Sequence, residues 1–224
     1  GGTAALIYIA LGVALGAVSA WRRGSKADIG LLLTVFSLGS WPPFFLGMVL
    51  IVFFSYQWGL FPIGGAQSAE AARAGGLAQI FDVALHWVLP ALTLVLTYLP
   101  GIYLITRNSM LSVLGEDYVR TARSKGILES LVLLRHALPN ALLPIVTTIG
   151  MRFGFMIMGT MFVEVVFAYP GMGTLIYEAG AARDYPLLQG AFMVTMVFVL
   201  VLNLAADLLY GWLDPRVGRR RATA

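Results

Sequence analysis

Charged residues are scarce in this sequence. Only 12% of its 224 residues are Asp, Glu, Lys or Arg, against roughly 25% in a typical soluble domain. Hydrophobic residues make up 59% of the chain, and the mean hydropathy is +0.84. This composition excludes an ordinary soluble domain and predicts an all-α integral membrane protein.

The residue types that catalysis and metal binding require are also sparse. The chain has no Cys, which excludes disulfides and thiolate metal sites, and its two His residues, His86 and His136, are far apart in sequence. HExxH, GxSxG, paired carboxylates at helical spacing and the GxxxxGK[ST] phosphate loop are absent. We therefore expect no enzyme and no cofactor bound by this chain. Basic residues are not interleaved with aromatics on a polar face, so we expect no nucleic-acid partner.

Long apolar runs dominate what is present. Because a helix needs about 20 apolar residues to cross the hydrocarbon core, these runs predict five membrane spans. The run at 29–69 is too long for one helix and contains Pro42 and Pro43, so we place its crossing near 41–58. The runs lie at residues 3–20, 29–69, 83–106, 140–167 and 185–206.

Basic residues are distributed on one side of the predicted spans. Twelve of the 15 Lys and Arg residues fall in the segments 21–28 and 107–136 and in the carboxyl-terminal tail. Cytoplasmic loops collect Lys and Arg, so we expect these segments, including the carboxyl terminus, to be cytoplasmic. Five spans then place the first residue outside, and we expect that a sixth, amino-terminal span precedes this sequence.

The segment RTARSKG, residues 120–126, predicts a short basic helix in the loop at 107–136. Glu116 and Asp117 lie near its start, Arg123 and Lys125 near its end, and Gly126 at the position of a left-handed cap. Such a helix of about ten residues would be about 15 Å long. It could rest on lipid headgroups, but a patch of small side chains at Thr121 and Ala122 favours insertion into a protein groove.

Spacing around this helix resembles a known motif. Arg120, Thr121 and Ala122 are followed after three residues by Gly126, then after nine by His136, and then by LP at residues 138–139. This resembles the EAA loop of ATP-binding-cassette importer permeases, in which Arg, Thr and His replace Glu, Ala and Ile as in the peptide and nickel branch. The stretches at 163–190 and 208–217 also resemble that branch.

The resemblance implies that residues 1–224 form one type I importer transmembrane domain, in which the segment 107–139 is the EAA coupling loop. It implies two cytoplasmic ATP-binding subunits that carry ATP and Mg, a second homologous permease chain, an extracytoplasmic substrate-binding protein and a prokaryotic plasma membrane. The residues implied to contact the ATPases are Tyr118, Arg120, Thr121, Ala122, Lys125, Gly126, Glu129 and Pro139.

Charged residues also fall within or beside the predicted spans. Arg152 lies deep in the fourth span, where a charge costs on the order of 2.5 to 3.5 kcal/mol, so it should face protein or water. Asp207 is its most reachable partner, and Glu164 lies near the outer interface. All three could line the pathway or contact another subunit. The alternatives are a structural pair for Arg152 and a capping or loop-anchoring role for Glu164.

Two GxxxG sequences, at Gly12 and Gly16 and at residues 150–154, could permit close helix packing.

These patterns predict the permease subunit of an ATP-driven importer, with short peptides as its substrates. Dipeptides, oligopeptides, nickel chelates and glutathione all remain open as substrates. The alternative is an ATP-independent secondary transporter or channel, which would usually show an internal repeat and broken midplane helices with ion-binding residues. Neither is visible in the sequence.

Overall fold

The computed structural model describes the backbone of residues 2–213 and their side chains, apart from the side chains of 143, 147, 149–158, 206, 207 and 209–213. This part of the chain is helical and contains no strand. The basic tail at 216–221 lies outside it. The helices are α1 (Gly2–Trp21), α2 (Lys26–Gly39), α3 (Pro43–Leu50), α4 (Ala69–Ala74), α5 (Gly76–Leu114), α6 (Asp117–Ser124), α7 (Glu129–Leu131), α8 (Leu138–Val166), α9 (Met172–Ala181) and α10 (Tyr185–Leu213). Two π-helical segments, Ile51–Gln57 and Val132–Ala137, continue α3 and α7.

Three helices are long and apolar enough to cross a membrane, namely α1, α5 and the part of α10 at Tyr185–Ala205. A fourth crossing results if α2 and the segment Pro43–Gln57 count as one span, although they are bent by 99° relative to each other. This count covers the described side chains only, which excludes much of α8. The chain is therefore an all-α protein with helices of membrane-spanning length.

Prolines break the long apolar run where the sequence predicts a break. Pro42 is extended, with φ −60° and ψ 141°, and directly precedes α3, whose first residue is Pro43. A residue that precedes proline avoids the α-helical region, and proline itself suits the first turn of a helix. The helix α2 consequently ends at Gly39, and a new helix begins near the predicted start of the crossing at 41–58.

The third predicted span, 83–106, is shorter than the observed helix α5, which covers Gly76–Leu114. Gly75 separates α4 from α5, and both Gly75 and Gly76, the first residue of α5, have positive φ. The sequence placed the ends of this span at the nearest charged residues, Asp82 and Arg107, but both lie inside α5. Each is tolerated there because it has a partner, His86 and the N–H of Ser68 for Asp82, and Asp28 for Arg107. Arg107, which the sequence assigned to the following loop, is a helical residue.

The chain divides into two compact units. The first consists of the described residues of Gly1–Ile7, Ser40–Thr97 and Gly154–Val199. The second consists of those of Tyr8–Gly39, Tyr98–Phe153 and Leu200–Ala224. Residues of α1, α5, α8 and α10 contribute to both.

Close packing of α1 against α5 organises the second unit. A Cβ atom at Gly12 would lie 2.8 Å from Cβ of Ile102, and one at Gly16 would lie 2.7 Å from both Cβ of Thr106 and the carbonyl oxygen of Tyr103. These separations leave no room for a side chain. The GxxxG spacing at 12–16 is therefore confirmed as a helix contact, whereas the pair at 150–154 falls where side chains are not described.

A buried cluster of mainly small side chains continues this packing. Ala17 and Ala20 of α1 meet Met110 of α5, together with Ala137 and Ala141. The hydroxyl of Ser109 also donates a hydrogen bond of 2.9 Å to the carbonyl oxygen of Ala141. Small residues let these backbones approach closely, so α5 and the start of α8 are held together next to the loop that carries α6.

Substitution of Gly16 by Ala should destabilise the protein by about 1 to 3 kcal/mol, because the added methyl group overlaps α5. The control is Gly30→Ala in α2, where nothing lies within 4 Å of the added Cβ. We expect a lower thermal unfolding temperature for Gly16→Ala in detergent, and an unchanged or slightly higher one for Gly30→Ala. Equal melting of both variants would contradict the packing described here.

Candidate functional site

The basic helix predicted from the sequence is α6, Asp117–Ser124. Glu116 precedes it in an extended conformation, Asp117 lies in its first turn and Arg123 in its last. Both charges suit the helix dipole. Gly126 follows with φ +72°, which is the left-handed conformation that ends the helix. The helix and its glycine stop are confirmed.

One face of α6 is buried against the chain itself. Val119 and Ala122 are three residues apart on this face and pack against Val132 in the π-helical segment. Val113, Leu114 and Ile127 border the cluster. The prediction that Ala122 belongs to an exposed patch of small residues is wrong, because this side chain is only 5% exposed. Ala122 instead holds α6 in place.

The opposite face of α6 is exposed and carries the charged side chains of Asp117 and Arg120, with Lys125 directly after the helix. The side chain of Arg120 is 73% exposed, and its nearest acidic partner, Asp117, is 3.6 Å away and also exposed, so this pair contributes little. Lys125 is exposed as well. The hydroxyl of Thr121 donates to the carbonyl oxygen of Asp117 at 2.9 Å. Because the hydroxyl of Thr121 is bonded within the helix, the charged groups available to a partner here are Asp117, Arg120 and Lys125.

An ion pair closes the turn around Gly126. The guanidinium of Arg123 donates two hydrogen bonds to the carboxylate of Glu129, with Nε to Oε2 at 3.1 Å and Nη2 to Oε1 at 2.5 Å. This hydrogen bonding lowers the pKa of Glu129 below its ordinary value and raises that of Arg123. The pair's stabilisation is present above the ordinary pKa of Glu and is lost as pH falls through the lower folded-state value. Because both side chains are about 40% exposed, it contributes no more than about 1 kcal/mol.

Tyr118 lies in the first turn of α6, and Pro139 lies beyond the π-helical segment that follows α7. Tyr118 is 42% exposed, and partial burial, then the negative charge of Glu116, raises the pKa of its hydroxyl, while a side-chain hydrogen bond with Asn140 acts in the opposite direction. Pro139 lies in the first turn of α8 and is exposed. The π-helical segment ends directly before α8, where the ring and missing N–H of a proline disturb α-helical bonding.

A buried charge pair beside this region was missed by sequence reasoning. Asp28 is 3% exposed, and its carboxylate accepts two hydrogen bonds from Arg107, with Nε to Oδ1 at 3.1 Å and Nη2 to Oδ2 at 3.0 Å. Ser19 and the backbone N–H of Gly24 also donate to this carboxylate. The Ser19 hydroxyl lies 2.7 Å from that of Tyr103. An isolated Asp immediately before an apolar run was the available signal.

The structure locates only one of the three charges that the sequence predicts for the pathway or a subunit contact. Glu164 lies in the last turn of α8, and its Oε2 accepts hydrogen bonds from the N–H groups of Gly173 and Thr174. Its predicted capping role is therefore confirmed. The side chains of Arg152 and Asp207 lie outside the described residues. Among the described residues, no cluster of His, Asp or Glu could hold a metal ion.

Comparison with known proteins gives the family. The model of the binding-protein-dependent transport system inner membrane component matches residues 12–219. The chain belongs to this family. The match includes α6, the ion pair around Gly126 and Glu164, and it confirms the resemblance to importer permeases.

Three relatives illustrate what this permease is similar to. It is 38% identical to the dipeptide transport system permease protein DppB of Escherichia coli strain K12, over 98% of the chain and 70% of the relative. It is 38% identical to the oligopeptide transport system permease protein AppB of Bacillus subtilis, over 95% and 66%. It is 41% identical to the glutathione transport system permease protein GsiC of Pectobacterium atrosepticum, over 93% and 63%. These relatives are transport subunits rather than enzymes.

Removing one partner of the Asp28–Arg107 pair should cost about 3 to 5 kcal/mol, because the other charge stays buried without compensation. We expect Asp28→Leu and Arg107→Met each to lower the thermal unfolding temperature, and the double variant to lower it by less than the sum. The matched control is the exposed pair, with Asp117→Leu and Arg120→Met, whose effects should be small. Additive effects at Asp28 and Arg107 would contradict a buried pair.

Proposed function

We propose that this permease is a subunit of an ATP-driven importer for short peptides. It forms half of the translocation pathway and docks cytoplasmic ATPases through α6. The observation that carries the proposal is the arrangement of α6, which buries Val119 and Ala122 in its own chain and presents Arg120 and Lys125 outward. A helix that only rested on lipid would expose apolar side chains to the membrane.

The fixed geometry of α6 suits a part that transmits force. Its buried face is attached to the π-helical segment that leads into α8, so a displacement of α6 would be passed to a predicted membrane span. The turn at Gly126 is closed by the pair of Arg123 and Glu129, which keeps the exit of the helix short. Tyr118 and Pro139 adjoin the same region and belong to the proposed docking site. The family resemblance supports two ATPases, which would carry ATP and Mg, as the partners.

We propose five membrane spans with a type I importer topology. Added to α1, the bent pair that ends at Gln57, α5 and α10, the helix α8 is the fifth span. Its 29 residues correspond to a length of about 43 Å, which is more than the hydrocarbon thickness of about 30 Å. In this topology α6 and the carboxyl terminus are in the cytoplasm of a prokaryotic cell, and the Lys and Arg residues of the basic segments support that orientation.

Partners beyond the ATPases follow from the same proposal. The apolar window of α10 is only 6% buried within the chain, so most of its surface is available to lipid and to a second, homologous permease chain. An extracytoplasmic binding protein would deliver the substrate. The named relatives transport dipeptides, oligopeptides or glutathione, which share a short peptide backbone, and this supports short peptides as the substrate class. Arg152 and Asp207 remain candidates for lining the pathway or contacting the partner permease.

A bulky residue at Gly126 should uncouple transport from ATP hydrolysis. No atom lies within 4 Å of a Cβ at this position, so Gly126→Leu perturbs the turn through its φ of +72° and places a side chain where an ATPase would dock. We expect copurification of the ATPase subunits and ATP-dependent peptide uptake to fall by about tenfold, as loss of roughly 1 to 2 kcal/mol at an interface implies. Uptake is measured with a radiolabelled dipeptide in proteoliposomes.

The matched control is Gly59→Leu. Gly59 also has positive φ, +61°, and open space around its Cβ, but it lies outside the proposed docking site. Both variants should lose similar stability, and only Gly126→Leu should lose ATPase binding. Full ATP-dependent uptake by Gly126→Leu, with its ATPases still bound, would refute docking through this turn. Uptake down a gradient without any ATPase would refute ATP-driven import and favour a secondary transporter or channel.

A further inference from the structure

The helix α9 is capped by a residue of another helix. Its own cap position, Gly171, supplies no side chain to bond the free N–H groups of the first turn. The carboxylate of Glu164, in the last turn of α8, takes this role. Its Oε2 accepts from Gly173 N at 2.7 Å and from Thr174 N at 3.2 Å. A negative group at a helix amino terminus is also favoured by the helix dipole.

Two glycines make room for this contact. A Cβ at Gly171 would overlap the Glu164 carboxylate, and one at Gly173 would overlap the backbone of Met161 and lie 2.8 Å from Oε2 of Glu164. Any larger residue at either position would push the first turn of α9 away from α8. The sequence PGMG at 170–173 therefore serves the close approach of two helices.

The turn between the helices is bonded to the same part of α8. The backbone N–H of Tyr169 donates to the carbonyl oxygen of Glu164 at 2.8 Å. The hydroxyl of Thr174 donates to the carbonyl oxygen of Tyr169 at 2.9 Å. From the loop before α4, the N–H of Gly65 donates to the carbonyl oxygen of Phe167 at 2.8 Å. The end of α8 thus holds both α9 and the loop around residue 65.

Other forces on α9 are weak. It buries only Gly173 and Ala179, while Leu175 and Tyr177 are exposed, so little apolar burial fixes its position. An apolar groove of about 300 Å3, lined in part by Met172, Val194 and Phe198, lies beside its first turn. Among the described residues, no Lys or Arg pairs with Glu164. No cation in the described part of the chain therefore competes with α9 for this carboxylate.

We propose that Glu164 is a positioning residue that makes α9 follow α8 during the transport cycle. This rests on the proposed function, in which ATPases move α6 and α9 lies on the extracytoplasmic side. The helix α8 begins directly after the segment that packs against α6. The short turn at 167–171 links the two helices, and the Glu164 carboxylate makes this link rigid. Movement of α8 then carries α9 with it, and α9 with the loop around Gly65 opens or closes the outer mouth for the peptide.

Site-directed spin labels test this in the complete importer, reconstituted with its ATPases and binding protein. The chain has no Cys, so single cysteines introduced by Tyr177→Cys in α9 and by Leu134→Cys in the π-helical segment before α8 can be labelled without background. Both side chains are exposed, and neither belongs to the proposed docking site. Label mobility is compared between the nucleotide-free and vanadate-trapped states. We expect both labels to respond in the otherwise unchanged protein. In Glu164→Ala, the label before α8 should still respond, whereas the response of the label on α9 should be strongly reduced.

Transport measurements provide a second readout. Peptide uptake per ATP hydrolysed should fall by about tenfold in Glu164→Ala, as loss of charge-assisted hydrogen bonds implies, and should partly recover in Glu164→Gln, which keeps an acceptor oxygen. Gly173→Ala should reproduce the loss without changing any charge. Glu178→Gln is the matched control, because this exposed carboxylate is on the same helix, and it should leave coupling unchanged.

The outcomes separate the two proposals. If the label on α9 responds normally in Glu164→Ala and uptake per ATP is retained, Glu164 is not a positioning residue, while the ATP-driven permease stands. If neither label responds in the protein with Glu164 intact, or if the ATPases do not bind, the proposed function fails and this inference fails with it.

Discussion

Most of this structure depends on satisfying polar groups where water is scarce. Asp28 is bonded by Arg107, Ser19 and Gly24, and the buried hydroxyls of Thr93 and Thr106 donate to carbonyl oxygens one turn earlier in α5. An unpaired polar group in such surroundings costs several kcal/mol. Among the described residues, only Thr97 Oγ1 and Asn203 Oδ1 are buried without a hydrogen-bond partner. The two Thr hydroxyls are satisfied within α5 itself, whereas the bonds of Asp28 to Arg107 and Ser19 join α2 to α5 and α1.

The same rule assigns different roles to similar residues. Arg107 is almost enclosed and neutralised, whereas Arg120 is exposed and has only a weak partner. Among acidic residues, Asp28 balances a cation, Glu129 closes a turn, and Glu164 binds the free N–H groups of a helix. A charged residue in this permease is thus interpreted by its partner and its burial rather than by its type.

Sequence alone predicted the apolar helices, the break at Pro42, and α6 with its stop at Gly126, since each depends on local composition, proline geometry or capping. It did not predict that Arg107 lies within α5, because the pairing with Asp28 joins residues far apart in the chain. It also misplaced Ala122. Ala122 is buried because Val132, ten residues later in the chain, packs against it. Such a contact depends on tertiary structure and cannot be read from the local sequence.

The length of α5 has a consequence for how other proteins could reach this one. Its 39 residues correspond to a contour of about 58 Å, nearly twice the hydrocarbon thickness of about 30 Å. A straight helix of that length exceeds the thickness of the acyl-chain region. Its last turns, at Val113 and Leu114, border the cluster that seats α6. In the proposed topology, these turns would hold α6 beyond the acyl chains, where a large globular subunit could reach it without deforming the bilayer.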